Sequence, residues 1–142
     1  MYNGGYLISQ INKLTGRKIN ELLRNAKVTE FNGAQGTILY TLWNKNEMSI
    51  KEISNYTGLA KTSLSSMLER MEKQNLIEKV NNNDDKRSTI IRLTDKARGL
   101  EEIYNNICKE MQFQYYRDFN EKEIKLFESM LEKVLKNLEE GR

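Results

Sequence analysis

Apolar residues recur every three or four positions over most of the chain, a spacing that predicts amphipathic helices. The first helix is expected to turn one face inward, with Leu7, Ile11, Leu14, Ile19, Leu22, Leu23 and Ala26 on it. A second helix follows Asn32 and Gln35, which match the N-cap and third position of a capping box, and runs to about Asn46. The chain therefore opens with two helices.

A short helix and a longer one are expected next, joined by a tight turn. Ser49 and Glu52 form an S-x-x-E capping box, and Gly58 stands where a left-handed residue ends a helix. Beyond Gly58, an apolar face is spaced as in a second helix, with Leu64, Met67, Leu68 and Met71. Two helices separated by about three residues that include glycine are typical of a helix-turn-helix.

The period then changes from helix to strand. Asn75 suits the left-handed conformation at the end of the second helix. The segments 76–80 and 89–93 are rich in β-branched residues and have the length of strands, and the polar residues 81–88 between them are turn formers. This pattern predicts a β-hairpin.

Two further helices are expected after the hairpin. Thr94 can cap one long helix that reaches roughly Tyr116, and Asn120 with Glu123 can cap a final helix, which Gly141 follows. The apolar residues of the final helix are spaced three, four, three and four, as in Ile124, Phe127, Leu131, Val134 and Leu138. Such a seam suits packing against another helix, including one from a second chain.

Composition excludes several function classes. The 142 residues fit one domain, contain no histidine and contain one cysteine, Cys108, so a histidine-dependent triad or a zinc site is excluded. No phosphate-cradling glycine loop or paired nucleophile and base is visible, so neither an enzyme nor a cofactor is expected. No apolar run approaches the length of a membrane span, and the N-terminus lacks the order of a secretory signal, so a cytoplasmic protein is expected.

Charge is distributed unevenly although the net charge is only +3. Residues 1–47 hold six basic and three acidic side chains, residues 48–98 hold ten and seven, and residues 99–142 hold seven and ten. A polyanionic partner is therefore compatible with the first two-thirds of the chain and disfavoured at its C-terminal end.

The stretch from Met48 to Gly99 resembles the MarR family of bacterial transcription regulators. The resemblance is carried by Asp85-x-Arg87, followed by Leu93-Thr94 and Lys96-Ala97-x-Gly99. It implies a mainly α (α+β) fold, a winged helix-turn-helix with a two-stranded wing. Within a single domain, 1–142, residues 30–99 would bind DNA. Residues 1–29 and 100–142 would form helices for dimerisation, in which Leu7 and Ile11 join the seam of the final helix.

The resemblance also implies how DNA is contacted. One recognition helix per subunit, 61–74, would enter the major groove of a pseudo-palindromic operator. Its DNA-facing positions carry over to Lys61, Thr62, Ser63, Ser65, Ser66 and Arg70, which the helical period leaves outside the apolar face. Lys86 and Arg87 would reach the minor groove from the wing, and Asp85, two residues from Arg87 across a tight turn, would brace its guanidinium.

The residues and the resemblance together predict a sequence-specific DNA-binding transcription regulator, a homodimeric repressor that a small-molecule effector could release. The residues identify no effector. The alternative is a winged-helix protein-interaction module that does not bind specific DNA, because a fold does not guarantee a function. Cys108 is expected to act as a small buried apolar residue, since it lies outside the first helix, where the family's peroxide sensors keep their cysteine. The aromatic residues Tyr6, Tyr40 and Trp43 are assigned to packing rather than to a ligand.

Overall fold

The computed structural model describes residues 1–82 and 85–140, with side chains throughout except at 82 and 85–88. Gly141, which the sequence places after the final helix, lies outside these residues. Seven helices and three strands occur in the described part of the chain: α1 Gly4–Asn25, α2 Gly33–Lys45, β1 Glu47–Ser49, α3 Ile50–Thr57, α4 Lys61–Lys73, β2 Ile77–Asn82, β3 Asp85–Leu93, α5 Asp95–Arg98, α6 Glu101–Tyr115 and α7 Glu121–Glu140. The mainly helical fold with a winged helix-turn-helix is confirmed.

Local hydrogen bonds explain where most helices begin. At α2, the Asn32 side chain accepts from the Gln35 N–H, and the Gln35 side chain accepts from the Asn32 N–H. The same reciprocal pair, Ser49 with Glu52, begins α3. A third pair, Asn120 with Glu123, begins α7. All three capping boxes predicted from the sequence are therefore confirmed.

The predicted two-stranded wing is present as the hairpin of β2 and β3, but the third strand of its sheet was not predicted. The strand order of the sheet is β1-β3-β2 and both pairings are antiparallel, so the three-residue strand β1 lies beside the base of the hairpin. The assignment of residues 81–88 to a turn was also wrong in extent, because β2 continues to Asn82 and β3 already begins at Asp85. Polar side chains do not prevent ladder formation in a strand that extends beyond the core, since the backbone supplies the hydrogen bonds.

The single long helix predicted after the hairpin is wrong. Thr94 does cap a helix, since its hydroxyl accepts from the Ala97 N–H at 3.2 Å, but that helix, α5, ends at Arg98. The Leu100 N–H bonds to the Ala97 carbonyl, three residues back, and α6 then begins at Glu101. Glycine is a poor helix former, so Gly99 favours this break, and the tightened turn carries Leu100 into the core.

The chain comprises two compact units, Met1–Cys108 and Lys109–Arg142. The core of the first lies where α2, α3, α4 and the sheet meet. Its fully buried side chains include Ile38, Leu39, Leu42, Met48, Ile53, Leu64, Leu68, Met71, Leu76, Ile77 and Ile91. This core supports the helix-turn-helix from behind. The predicted division into a DNA-binding part, 30–99, and dimerisation parts, 1–29 and 100–142, stays a prediction.

The second unit contains α7 and the end of α6. Asp118 has a φ of 67°, which confirms the break predicted around residues 117–119. The Tyr116 ring lies 5.6 Å from the Phe119 ring and 6.3 Å from the Phe127 ring, centroid to centroid, and its hydroxyl donates to Glu128 at 2.6 Å. Burial and the Glu128 carboxylate raise the pKa of Tyr116 to about 12. These contacts hold α7 against the end of α6.

None of the described helices combines the length and the apolar character that a membrane span requires.

Candidate nucleic-acid interface

The turn between α3 and α4 sets the angle at which α4 leaves the core. It consists of residues 58–60, and Gly58 adopts a φ of 73°, the left-handed conformation that favours glycine. Two hydroxyls reinforce it: Ser54 Oγ donates to the Leu59 carbonyl at 2.7 Å, and Thr57 Oγ1 accepts from the Leu59 N–H at 3.3 Å. The glycine was predicted from the sequence, whereas the hydroxyl contacts were not.

Helix α4 has one buried and one exposed face. Leu64, Leu68 and Met71 are fully buried. The positions predicted to face DNA are all exposed: Lys61, Thr62, Ser63, Ser65, Ser66 and Arg70. The structure thus gathers the six on the outward side of one helix.

The N-terminus of α4 presents backbone hydrogen-bond donors. Ala60 stands at the N-cap position, and no described side chain caps the helix. The first N–H groups of a helix lack intrahelical acceptors, and together with the helix dipole they favour an anion such as phosphate. Lys61, Thr62 and Ser63 lie in this first turn and can add side-chain donors to the same anion.

Positive charge on α4 is available to a partner. Within the described part of the chain, neither Lys61 nor Arg70 forms an ion pair. Glu72, on the same helix, lies 3.9 Å from the Lys79 ammonium of β2 and is therefore partly neutralised. An exposed arginine without a carboxylate partner keeps its planar donors for a phosphate or a guanine edge.

The wing side chains proposed to contact DNA lie outside the described side chains. The backbone places Asp85, Lys86 and Arg87 on β3, so the expectation of a bracing pair across a tight turn was wrong in placing a turn between Asp85 and Arg87. Asn82 pairs with Asp85 across the hairpin. At the base of the same strand, Arg92 binds the Glu47 carboxylate at 2.6 Å and joins β3 to β1.

The residues predicted to mediate dimerisation are exposed or nearly so in the single chain. Leu7 and Ile11 on α1 are 55% and 44% exposed. On α7, Ile124 is half-buried, whereas Phe127, Leu131, Val134 and Leu138 are 36%, 37%, 41% and 68% exposed. No residue of α7 is buried.

The aromatic residues of α2 and the cysteine belong to the packing of the first unit. Trp43 is half-buried and its indole N–H donates to the Ala97 carbonyl at 3.0 Å. Tyr40, although exposed, lies with its ring 6.0 Å from that of Tyr104. Cys108 packs against the core, and burial raises the pKa of its thiol. A protonated thiol is a poor nucleophile, which agrees with the predicted packing role.

Sequence reasoning missed a polar network at the far end of α4. Gln35 and Thr94 are the buried polar residues in the described part of the chain. Gln35 Nε2 donates to Gln74 Oε1 at 3.0 Å, and Thr94 Oγ1 donates to the Asn75 carbonyl at 2.8 Å. The capping motifs indicated one partner for each residue, but contacts across 39 and 19 positions leave no local signal.

Comparisons with known proteins agree with this architecture. The model of the MarR family matches residues 31–89, which hold the helix-turn-helix and most of the hairpin.

The match covers 59 of the 142 residues, less than half of the chain.

The chain is 25% identical over 128 residues to the HTH-type transcriptional regulator MgrA of Staphylococcus aureus, covering 89% of the chain and 86% of MgrA. It is 33% identical over 85 residues to the HTH-type transcriptional regulator TtmR of Methylorubrum extorquens. That match covers 60% of the chain and 42% of TtmR, so it spans less than half the length of that relative. Both relatives are transcriptional regulators.

Solved structures share the fold. A mutant of MarR from E. coli complexed with operator DNA gives a TM-score of 0.82 at 23% identity, over 92% of each chain. The S. aureus MepR–DNA complex gives 0.83 at 22% identity, over 96% of this chain and 99% of MepR. At these identities the match shows a shared fold alone.

Proposed function

We propose that this chain is a sequence-specific DNA-binding transcription regulator. The observation that carries the proposal is the outward face of α4, which presents six hydrophilic side chains and an uncapped helix N-terminus. The opposite face of α4 is fully buried in the core. Short hydroxyls suit base edges and phosphates, and Arg70 suits a bidentate contact. MarR of E. coli and MepR of S. aureus, which share the fold, are both seen in complexes with DNA.

The proposed assembly is a homodimer that places two α4 helices in successive major grooves of a pseudo-palindromic site. The exposed apolar seam of α7 supports it, because a helix with this spacing is stabilised by covering the seam with another helix. The wing, with Lys86 and Arg87, is proposed to reach the minor groove, and repression to follow from occupying the operator. The protein is proposed to work in the cytoplasm, without enzymatic activity, and no effector is assigned.

Selection of duplexes from a random pool tests this function. The expected result is an enriched palindrome with half-sites about one helical turn apart, bound with an affinity that falls steeply as salt rises. Lys61→Ala should weaken binding to all duplexes and lower the slope of log affinity against log salt by about 1. Lys133→Ala, on exposed α7, is the matched control.

Two results would contradict the proposal. Equal binding to every duplex would mean that α4 does not read sequence. If Lys61→Ala kept both the affinity and the salt dependence of the wild-type chain, the N-terminus of α4 would not contact phosphate. An interaction module that recognises protein would give both results.

A further inference from the structure

Gln35 is a buried amide whose two ends bind different helices. It lies in the first turn of α2 and is 5% exposed. Its Oε1 accepts from the Asn32 N–H at 3.1 Å, and its Nε2 donates to Gln74 Oε1 at 3.0 Å. Because Asn32 N–H is a donor, it requires the amide oxygen on its side, and the amide nitrogen must then face Gln74. The orientation of this contact is therefore determined.

A second set of contacts meets at the same place. Gln74 is the C-cap of α4, and its carbonyl accepts from Lys96 Nζ at 3.1 Å. The next carbonyl, that of Asn75, accepts from Thr94 Oγ1 at 2.8 Å. Side chains from α2, from α5 and from the residue that caps α5 thus converge on two successive residues. The C-terminus of α4 is clamped, whereas its N-terminus faces outward.

The clamp acts over the length of the helix. At 1.5 Å per residue, Lys61 lies about 20 Å from Gln74, so a tilt of about 5° about the clamped end moves Lys61 by ~2 Å. A hydrogen bond to a base or phosphate does not survive a displacement of that size. A contact remote from the DNA-facing residues can therefore determine whether they align.

We propose that Gln35 and Gln74 are positioning residues that hold α4 in the orientation required for DNA recognition. The inference rests on the proposed function. An apolar residue at position 35 would fill the same buried space, so the amide contributes direction rather than volume. A separate hydrogen bond joins α2 to α1, because the Gly33 N–H at the start of α2 donates to Asn20 Oδ1 at 2.9 Å.

A double-mutant cycle tests the proposal with Gln35→Met, Gln74→Met and the double variant, since methionine preserves length without an amide. The probes are the duplex selected by the wild-type chain and an unrelated duplex of equal length. Each single variant should lower the ratio of the two affinities about fivefold, as expected for one interhelical hydrogen bond, and the double variant should add little. The salt slope should not change, because no phosphate contact is removed.

Asn20→Ala is the matched control, because it removes a hydrogen bond at the same end of α2 without touching α4. It should lower stability and leave the affinity ratio unchanged. The carboxylate of Gln35→Glu can accept from the Asn32 N–H and also from the Gln74 amide nitrogen, if the Gln74 amide rotates by half a turn. This variant should therefore keep a higher affinity ratio than Gln35→Met. If Gln35→Met does not fold, Gln74→Met still tests the proposal, because Gln74 is exposed and its replacement does not disturb the core.

The outcomes separate the inference from the proposed function. If the wild-type chain selects no sequence, the proposed function fails. If it selects one and Gln74→Met keeps the wild-type ratio, the positioning role is overturned while the function stands. If Gln74→Met lowers the ratio but folded Gln35→Met does not, or if the two losses are additive, Gln74 contacts DNA directly and the positioning role is again overturned.

Discussion

At the scale of single residues, Gly36 on α2 and Tyr104 on α6 are in close contact. A Cβ atom placed on Gly36 would lie 2.5 Å from Tyr104 Cε2 and 3.1 Å from Cδ2. The Tyr104 ring cannot easily move aside, since its centroid lies 5.3 Å from the Trp43 ring and 5.9 Å from the Phe31 ring. Glycine is therefore required by space at this position, not by its backbone conformation.

Gly36→Ala should lower the free energy of unfolding by about 1–2 kcal/mol, because the overpacking exceeds the gain in helix propensity. Gly16→Ala is the control: it lies in α1, where the described atoms leave the space around an added Cβ open, and it should raise stability by about 0.5–1 kcal/mol. Denaturant unfolding of both variants measures the difference. Equal stabilisation would show that α2 and α6 separate easily.

Ser49 begins the first helix of the helix-turn-helix. Its hydroxyl accepts from the Glu52 N–H at 3.1 Å, and its own N–H donates to the Glu52 carboxylate at 3.1 Å. Ser49→Ala should cost about 1 kcal/mol of unfolding free energy at neutral pH. Ser9→Ala, at an exposed position within α1, should stay within about 0.5 kcal/mol of wild type. A negligible effect at Ser49 would mean that the cap is replaced by water.

The same cap predicts a pH dependence. The Ser49 N–H holds the pKa of Glu52 below its usual value of 4.5 against the opposing effect of burial, and the Ser49 hydroxyl and Lys45 lower it by smaller amounts. The folded state therefore favours the ionised carboxylate, and this stabilisation is present above pH 4.5 and lost as the pH falls through the lower folded value. The stability difference between wild type and Glu52→Gln should shrink over that range. A stability difference that stayed constant with pH would contradict this role of the Glu52 carboxylate.

At the scale of elements, strand β3 serves two purposes. Its end at Ile91 and Leu93 is buried in the core, whereas its beginning extends into the wing. Composition suggested a turn for residues 81–88, since asparagine and aspartate favour turns. Pairing with β2 as far as Asn82 outweighs that preference, because ladder hydrogen bonds are shared between strands and not encoded by one segment.

The wing residues carry a two-part prediction. Arg87→Ala should weaken binding to the selected duplex by about 1–3 kcal/mol through loss of a direct contact. Asp85→Ala should also weaken it if the aspartate holds the arginine in place, although the change removes a negative charge. Titration of labelled duplex measures both, and Arg98→Ala, an exposed arginine on α5, is the control. Stronger binding by Asp85→Ala would show that the negative charge of Asp85 only repels DNA and does not hold Arg87 in place.

At the scale of the whole molecule, charge and apolar surface are separated along the chain. The basic excess lies within residues 1–98, which include the helix-turn-helix, and the acidic excess lies within residues 99–142, which include α7. The second region presents a seam that is exposed in the single chain, with Phe127, Leu131 and Val134 at its centre. The acidic excess and this apolar seam therefore lie in the same C-terminal part of the chain.

Leu131→Glu should shift the proposed dimer to monomer, because it places a charge in the middle of the apolar seam. Lys133→Glu is the control, since it changes the charge on the polar side of the same helix. Sedimentation equilibrium measures the association, and binding to the selected palindrome should weaken along with it. A dimer that is unaffected by Leu131→Glu would place the interface elsewhere.

Predictions from the sequence were correct where they depended on residues close together in the chain and wrong where they depended on distant ones. The capping boxes at Asn32, Ser49 and Asn120 depend on residues three apart and were predicted correctly. Strand β1 could not be predicted, because three residues such as Glu47–Ser49 become a strand only by pairing with Arg92, Ile91 and Ile90. The predicted continuous helix from Thr94 failed for a similar reason, since burial of Leu100 competes with helix continuity.

The sequence by itself determined the caps at Asn32, Ser49 and Asn120, the left-handed turn at Gly58 and the hydrophilic face of α4. Each of these depends on helical periodicity or on hydrogen bonds within one turn. Tertiary structure alone decided that a third strand joins the wing, that Tyr104 fills the space left by Gly36, and that Gln35 meets Gln74. These contacts join residues far apart in the chain, and their energies depend on burial and mutual geometry, which no local pattern records.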